Sequence, residues 1–204
     1  MNRAIFLSAS IPKPQRAPRY FTTMDVIAIR DAVRALATVV LPHATLYWGG
    51  HPSITPLIRV VAESTGLTDK DRVRLFQSAW FSQELPQDNA AFESYELTAK
   101  CRTKAKSIAT MRERILDAAP FDAAIFIGGM EGVEIEFDMF RSRHPDAGVY
   151  PVASTGAAAG LLFKRERERL ALPDDLLHDY AFASLFRRLL DLPNTRGATR
   201  PKPD

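Results

Sequence analysis

The chain alternates short, predominantly apolar runs with amphipathic stretches along its whole length, and this constrains its fold more than any other feature. The apolar runs are Ala4–Ser8 (AIFLS), Ala44–Trp48 (ATLYW), Val73–Phe81 (VRLFQSAWF), Ala123–Ile127 (AAIFI) and Gly148–Ala153 (GVYPVA). They do not alternate with period two, so they read as strands buried on both faces. Such strands belong to parallel sheets covered by helices on both sides.

The intervening stretches repeat apolar residues at helical spacing. Thr22 or Thr23 is placed to cap a helix to about Leu41, in which Val26, Ile29, Val33, Leu36 and Val40 share one face. Further helices are predicted from Ser53 or Thr55 to about Ser64, over Thr103–Ala118 and over Gly132–Arg143. Another runs from Gly156 into the charged segment Lys164–Arg169, and a last one from Pro173 to near Leu192. The expected fold is α/β: a three-layer Rossmann-like arrangement with a mostly parallel sheet and helices on both faces. At 204 residues the chain is one domain in size. Residues 1–193 are expected to form it, with 194–204 a flexible C-terminal tail.

Charge narrows the partners. Lys and Arg number 27 against 24 Asp and Glu, a net of +3, and part of the excess lies in the loop Pro12–Arg19 and in the tail. No stripe of cations interleaved with aromatics stands out, so nucleic acid is not the expected partner. No window approaches the roughly 18 apolar residues of a membrane span, and no secretory core precedes the first strand, so a cytoplasmic location is expected. Cys101 is the only cysteine, and the histidines 43, 51, 144 and 178 are isolated, so neither a disulfide nor a metal site is expected. No cofactor is implied.

In an open parallel sheet, ligands bind beyond the carboxyl ends of the strands. The residues there are Ser8-Ala9-Ser10, Gly49-Gly50-His51, Gly128-Gly129-Met130-Glu131-Gly132 and Ser154-Thr155-Gly156. All four loops are small, hydroxylic or glycine-bearing, a composition that lets backbone N–H groups approach an anion. Their convergence on one sheet edge predicts a nucleotide or phosphate site. His51 reads equally as a phosphate contact or as a loop cap, and Trp80 and Phe81 as core aromatics or as a stacking surface for a base.

Three of these loops and one helix also resemble a known family. Met111-Arg112-Glu113-Arg114, Asp122, Gly129, Gly132 and Glu136 fall without a gap onto the signature of the Lonely Guy (LOG) phosphoribohydrolases. That signature is Met-x-x-Arg-Lys, a strand, then Pro-Gly-Gly-x-Gly-Thr-x-x-Glu. Ser8-Ala9-Ser10 and Tyr47-Trp48-Gly49-Gly50 are similar to the same family, and Ala4 to Leu161 resembles the wider SLOG superfamily of LOG enzymes and nucleotide-sensing relatives. Four positions depart from the LOG pattern: Gly128 stands for proline, Met130 for the second glycine, Val133 for threonine and Ile115 for lysine. The resemblance implies that Arg114 and Glu136 are a catalytic pair, with Glu136 opposing the positive charge that develops when an N-glycosidic bond breaks. It also implies a homodimer. Glu131, Glu134 and Glu136 would equally complement a helix dipole with no further role.

Two functions follow. The first is a SLOG-type sensor or binding protein for a nucleotide or nucleotide-derived small molecule, which the rebuilt positions Met130 and Val133 favour. The alternative is a hydrolase that releases base from nucleoside 5′-monophosphates, which Arg114 and Glu136 favour.

Overall fold

The computed structural model describes residues 3–15, 17–69, 71–83, 85, 87–92 and 95–193. The tail 194–204 and Arg16 of the basic loop lie outside the described residues.

The described residues form six strands: β1 (Arg3–Ser10), β2 (Ala44–Trp48), β3 (Val73–Ser78), β4 (Tyr95–Thr98), β5 (Ala123–Gly128) and β6 (Gly148–Val152). They form one sheet in the order β4-β3-β2-β1-β5-β6, and every pairing is parallel. The helices are α1 (Pro18–Phe21), α2 (Val26–Val40), α3 (Thr55–Thr65), α4 (Lys104–Leu116), α5 (Glu131–Arg143), α6 (Ala157–Glu166), α7 (Asp175–His178) and α8 (Phe182–Leu190).

The apolar strands face two cores at once. In β1, Ile5 and Leu7 pack with α2, α3 and α8, while Ala4 and Phe6 pack with α4, α5 and the start of α6. Double-sided burial explains the missing period-two pattern. It also places Ser8 and Ser10 on the α4–α5 face, because side chains of one strand face the same side every second residue.

Four boundaries differ from the sequence reading. The first long helix begins at Val26, where Asp25 accepts the Ala28 N–H at 2.9 Å, and Pro18–Phe21 forms a separate turn of helix. The third strand stops at Ser78, and Ala79–Phe81 is a 3-10 turn whose Trp80 N–H is capped by the Ser78 hydroxyl at 3.3 Å. β4 was not expected: its four residues form an edge strand with Tyr95 and Leu97 exposed, too short to show a period. The last helix is two, α7 and α8, whose Leu176, Leu185 and Leu190 are buried in the chain's own core.

Candidate functional site

The sheet order puts β1 between β2 and β5, and the chain leaves β1 for one face and β5 for the other. That reversal opens a crevice above the ends of β1 and β5, where α/β proteins bind ligands.

The turn after β5 is held by backbone geometry. Gly128 and Gly129 have φ of 54° and 91°, which side chains rarely tolerate. The Gly128 N–H donates to the Thr155 hydroxyl at 2.8 Å, and the Gly129 N–H to the Ser10 carbonyl at 2.8 Å. The Thr155 hydroxyl in turn donates to the Val152 carbonyl at 2.5 Å. Thr155 is therefore fully engaged and braces the turn from behind. The chain then enters α5 with Met130 at its N-cap and no side-chain cap, and the N–H groups of Met130, Glu131 and Gly132 have no backbone partner among the described residues. Such amides, at the positive end of a helix dipole, suit an anion.

Glu136, one and a half turns into α5, is held at both oxygens. The Ser8 hydroxyl donates to Oε2 at 2.5 Å, and Arg112 Nε donates to Oε1 at 3.0 Å. Arg112 also reaches the Gly132 carbonyl at 3.5 Å. The ion pair is largely shielded, with side chains 15% and 21% exposed. Beside it, Ser10 is only 5% exposed, yet its hydroxyl makes no hydrogen bond with a described residue.

Arg114 lies elsewhere. Its guanidinium grips Glu96 of β4 through Nε at 2.5 Å and Nη2 at 3.2 Å. Residues two apart on a helix point about 200° apart. With Met111 and Ile115 buried against the sheet, Arg112 falls on the flank toward α5 and Arg114 on the flank toward β4. Arg112 is the functional candidate that the motif register passed over, and the helix face defined by Met111 and Ile115 was the signal for it.

The remaining candidates divide. Ser8, Ser10, Gly128, Gly129, Gly132 and Glu136 lie at the crevice, and Gly49 adjoins it through Met111, whose Cε lies 3.3 Å from where a Cβ would stand; the Met130 side chain is instead buried in the core and Glu131 is exposed at the start of α5. Gly50 is packed instead: its carbonyl accepts from Gln77 Nε2 at 2.7 Å, and a Cβ there would lie 2.0 Å from that nitrogen. His51 has the loop-capping geometry, with Nδ1 accepting the Ser53 N–H at 3.2 Å while the Ser53 hydroxyl accepts the Ile11 N–H at 3.2 Å. Ser154 donates to the Asp179 carbonyl at 3.3 Å, and Gly156 packs against Thr23. Glu134 is bound by Arg19 and Tyr20, whose hydroxyl burial pushes to a higher pKa. No group of metal-ligating side chains occurs among the described residues, and no described helix is long and apolar enough to cross a membrane.

A family model described as the SLOG cluster3 family matches residues 19–190, so the chain belongs to that family. Two solved structures share the fold. A structural-genomics target, TM1055, is 14% identical, with a TM-score of 0.54 over 79% of this chain and 81% of its own. The molybdenum cofactor carrier protein of Chlamydomonas reinhardtii is 13% identical, with a TM-score of 0.54 over 94% of this chain and 99% of its own. No curated protein matches the chain.

Proposed function

From the premise that this chain is a member of the SLOG cluster3 family, we propose that it binds a nucleotide or nucleotide-derived small molecule in the crevice above β1 and β5. The observation that carries this reading is the set of unused donors on one wall. They are the Ser10 hydroxyl and the first amides of α5, beside an arginine already held in place. These donors face the crevice without a partner among the described residues, and a phosphate would satisfy them together. A structural neighbour is named as a carrier of a cofactor, which supports binding as a use of this fold.

Calorimetric titration with the four nucleoside 5′-monophosphates tests it. At least one should bind, and Ser10→Ala and Arg112→Ala should each weaken it by about tenfold, the worth of one charge-assisted or buried hydrogen bond. Arg114→Ala should bind as the parent does. Binding unaffected by both crevice variants would refute the site.

A second reading, N-glycoside hydrolysis, is favoured by one feature: Ser8 and Arg112 fix both oxygens of Glu136, as a carboxylate opposing an oxocarbenium-like centre requires. Chromatography of the bound monophosphate after long incubation should then show free base, and Glu136→Gln should slow its release by roughly a hundredfold. No release by the parent protein leaves the binding reading alone.

A further inference from the structure

We infer that the crevice continues into a second subsite, at the ends of β3 and β4, which takes the distal half of a pyrophosphate-linked dinucleotide. This rests on the reading above, since the first half of the ligand occupies the β1–β5 crevice. Residues 97–112 carry five cations and no acid. Arg112 is spent on Glu136, but Lys100, Arg102, Lys104 and Lys106 are exposed and pair with no described carboxylate. Most arginines described elsewhere, such as Arg19, Arg59, Arg165 and Arg188, do have acidic partners. The whole chain has a net charge of +3, so these four cations exceed it, and everything else together is net negative by one.

Lys100 and Lys104 stand at neighbouring rings of one short turn, and an anion between them would relieve their mutual repulsion. The arrangement also opposes the dipole of α4, whose first turn has lysines and no acid. The cations stand beside aromatic faces: Lys100 Nζ is 5.1 Å from the centre of the Trp80 ring, and Lys104 Nζ is 5.1 Å from that of Phe81. Both rings are half-buried on the 3-10 turn after β3, so each has a fixed position and some open surface. The Trp80 indole N–H has no described partner. Flat rings next to unpaired cations recognise a base and its phosphate together.

Spacing favours one ligand over two. Lys104 is eight residues from Arg112 on the same helix, a rise of about 12 Å. A dinucleotide is long enough to span that distance, with its phosphates toward Lys100 and Lys104. The early part of α4 thus links the two subsites, and selection for a two-base ligand follows from their separation.

The experiment uses the tightest-binding monophosphate and its symmetrical pyrophosphate dinucleotide as probes, titrated into the full chain. The dinucleotide should bind the parent protein at least about tenfold tighter, the gain expected of one stacked base. Trp80→Leu and the double variant Lys100→Gln/Lys104→Gln should each bring the two affinities within about threefold, with monophosphate affinity and melting temperature unchanged. Equal affinities in the parent protein overturn the second subsite while the first stands. Failure of the parent to bind either probe overturns both readings. Loss of monophosphate binding in the lysine variant would show one undivided site. Tighter binding of decathymidylate than of the dinucleotide would assign this surface to single-stranded nucleic acid instead.

Discussion

At the scale of single residues, Arg112 and Arg114 separate what a motif states from what a helix allows. Both sit in Met-Arg-Glu-Arg, but they lie on opposite flanks of α4, so only one can meet Glu136. The two pairs should also differ in energy. Arg112 is mostly shielded, and its removal leaves Glu136 with one partner fewer in a crevice. Arg112→Ala should therefore cost about 1–3 kcal/mol in urea unfolding. Arg114 is half exposed and its pair is screened by water, so Arg114→Ala should cost about 0–1 kcal/mol. Equal losses would contradict the burial argument.

At the scale of elements, the joint between β6 and α6 holds the crevice turn in place. Thr155 binds Gly128, its carbonyl accepts the Asp25 N–H at 3.2 Å, and Gly156 lies where a Cβ would stand 1.9 Å from the Thr23 carbonyl oxygen. One short segment thus ties β5, α2 and α6 together. Gly156 also has φ of 67°, so Gly156→Ala meets both strain and backbone overlap. It should destabilise by about 2–4 kcal/mol in thermal or urea unfolding. Gly66, the C-cap of α3, has φ of 68° with open space around it, so Gly66→Ala should cost only about 1 kcal/mol. If the two cost the same, the overlap at Thr23 is relieved without resistance and the joint is not rigid.

At the scale of the whole molecule, acid stability should depend on the seam between α5 and α6. Glu166 is buried there, and Arg165 and Arg169 hydrogen-bond to it while Arg165 also bonds Asp138 of α5 at 2.5 Å. Burial alone would raise the pKa of Glu166, but the hydrogen bonds from Arg169 and Arg165 outweigh it and hold the carboxyl below its ordinary value. The Arg188 hydrogen bond does the same to Asp179. A carboxyl depressed in the folded state stabilises above its unfolded value of about 4.3, and that contribution is lost as pH falls through the folded value. Glu166→Gln should thus lose about 1–2 kcal/mol at pH 7, and its deficit against the parent should shrink below about pH 4. Urea midpoints at pH 7 and pH 3 check this. A deficit that grows on acidification would reverse the sign.

The sequence by itself determined the layering of this protein. Runs such as AAIFI and AIFLS are apolar on both faces and stable only inside a covered parallel sheet, so the fold class and the edge bearing the loops could be read from them directly. Ser8 and the Gly128–Gly132 turn were legible for the same reason, because they follow those strands at short range, whereas Glu136 stood out only through its resemblance to the LOG motif. Tertiary structure alone decided which groups are spent and which are free. Thr155, Gly50 and His51 look in sequence like ligand contacts, yet their partners Gly128, Gln77 and Ser53 use them internally. The Arg112–Glu136 pair joins residues 24 apart in sequence on two helices, and Lys100 meets Trp80 only because β3 and β4 end side by side. Hydrogen bonds and ion pairs of this kind depend on directions and distances between elements, and local periodicity fixes neither.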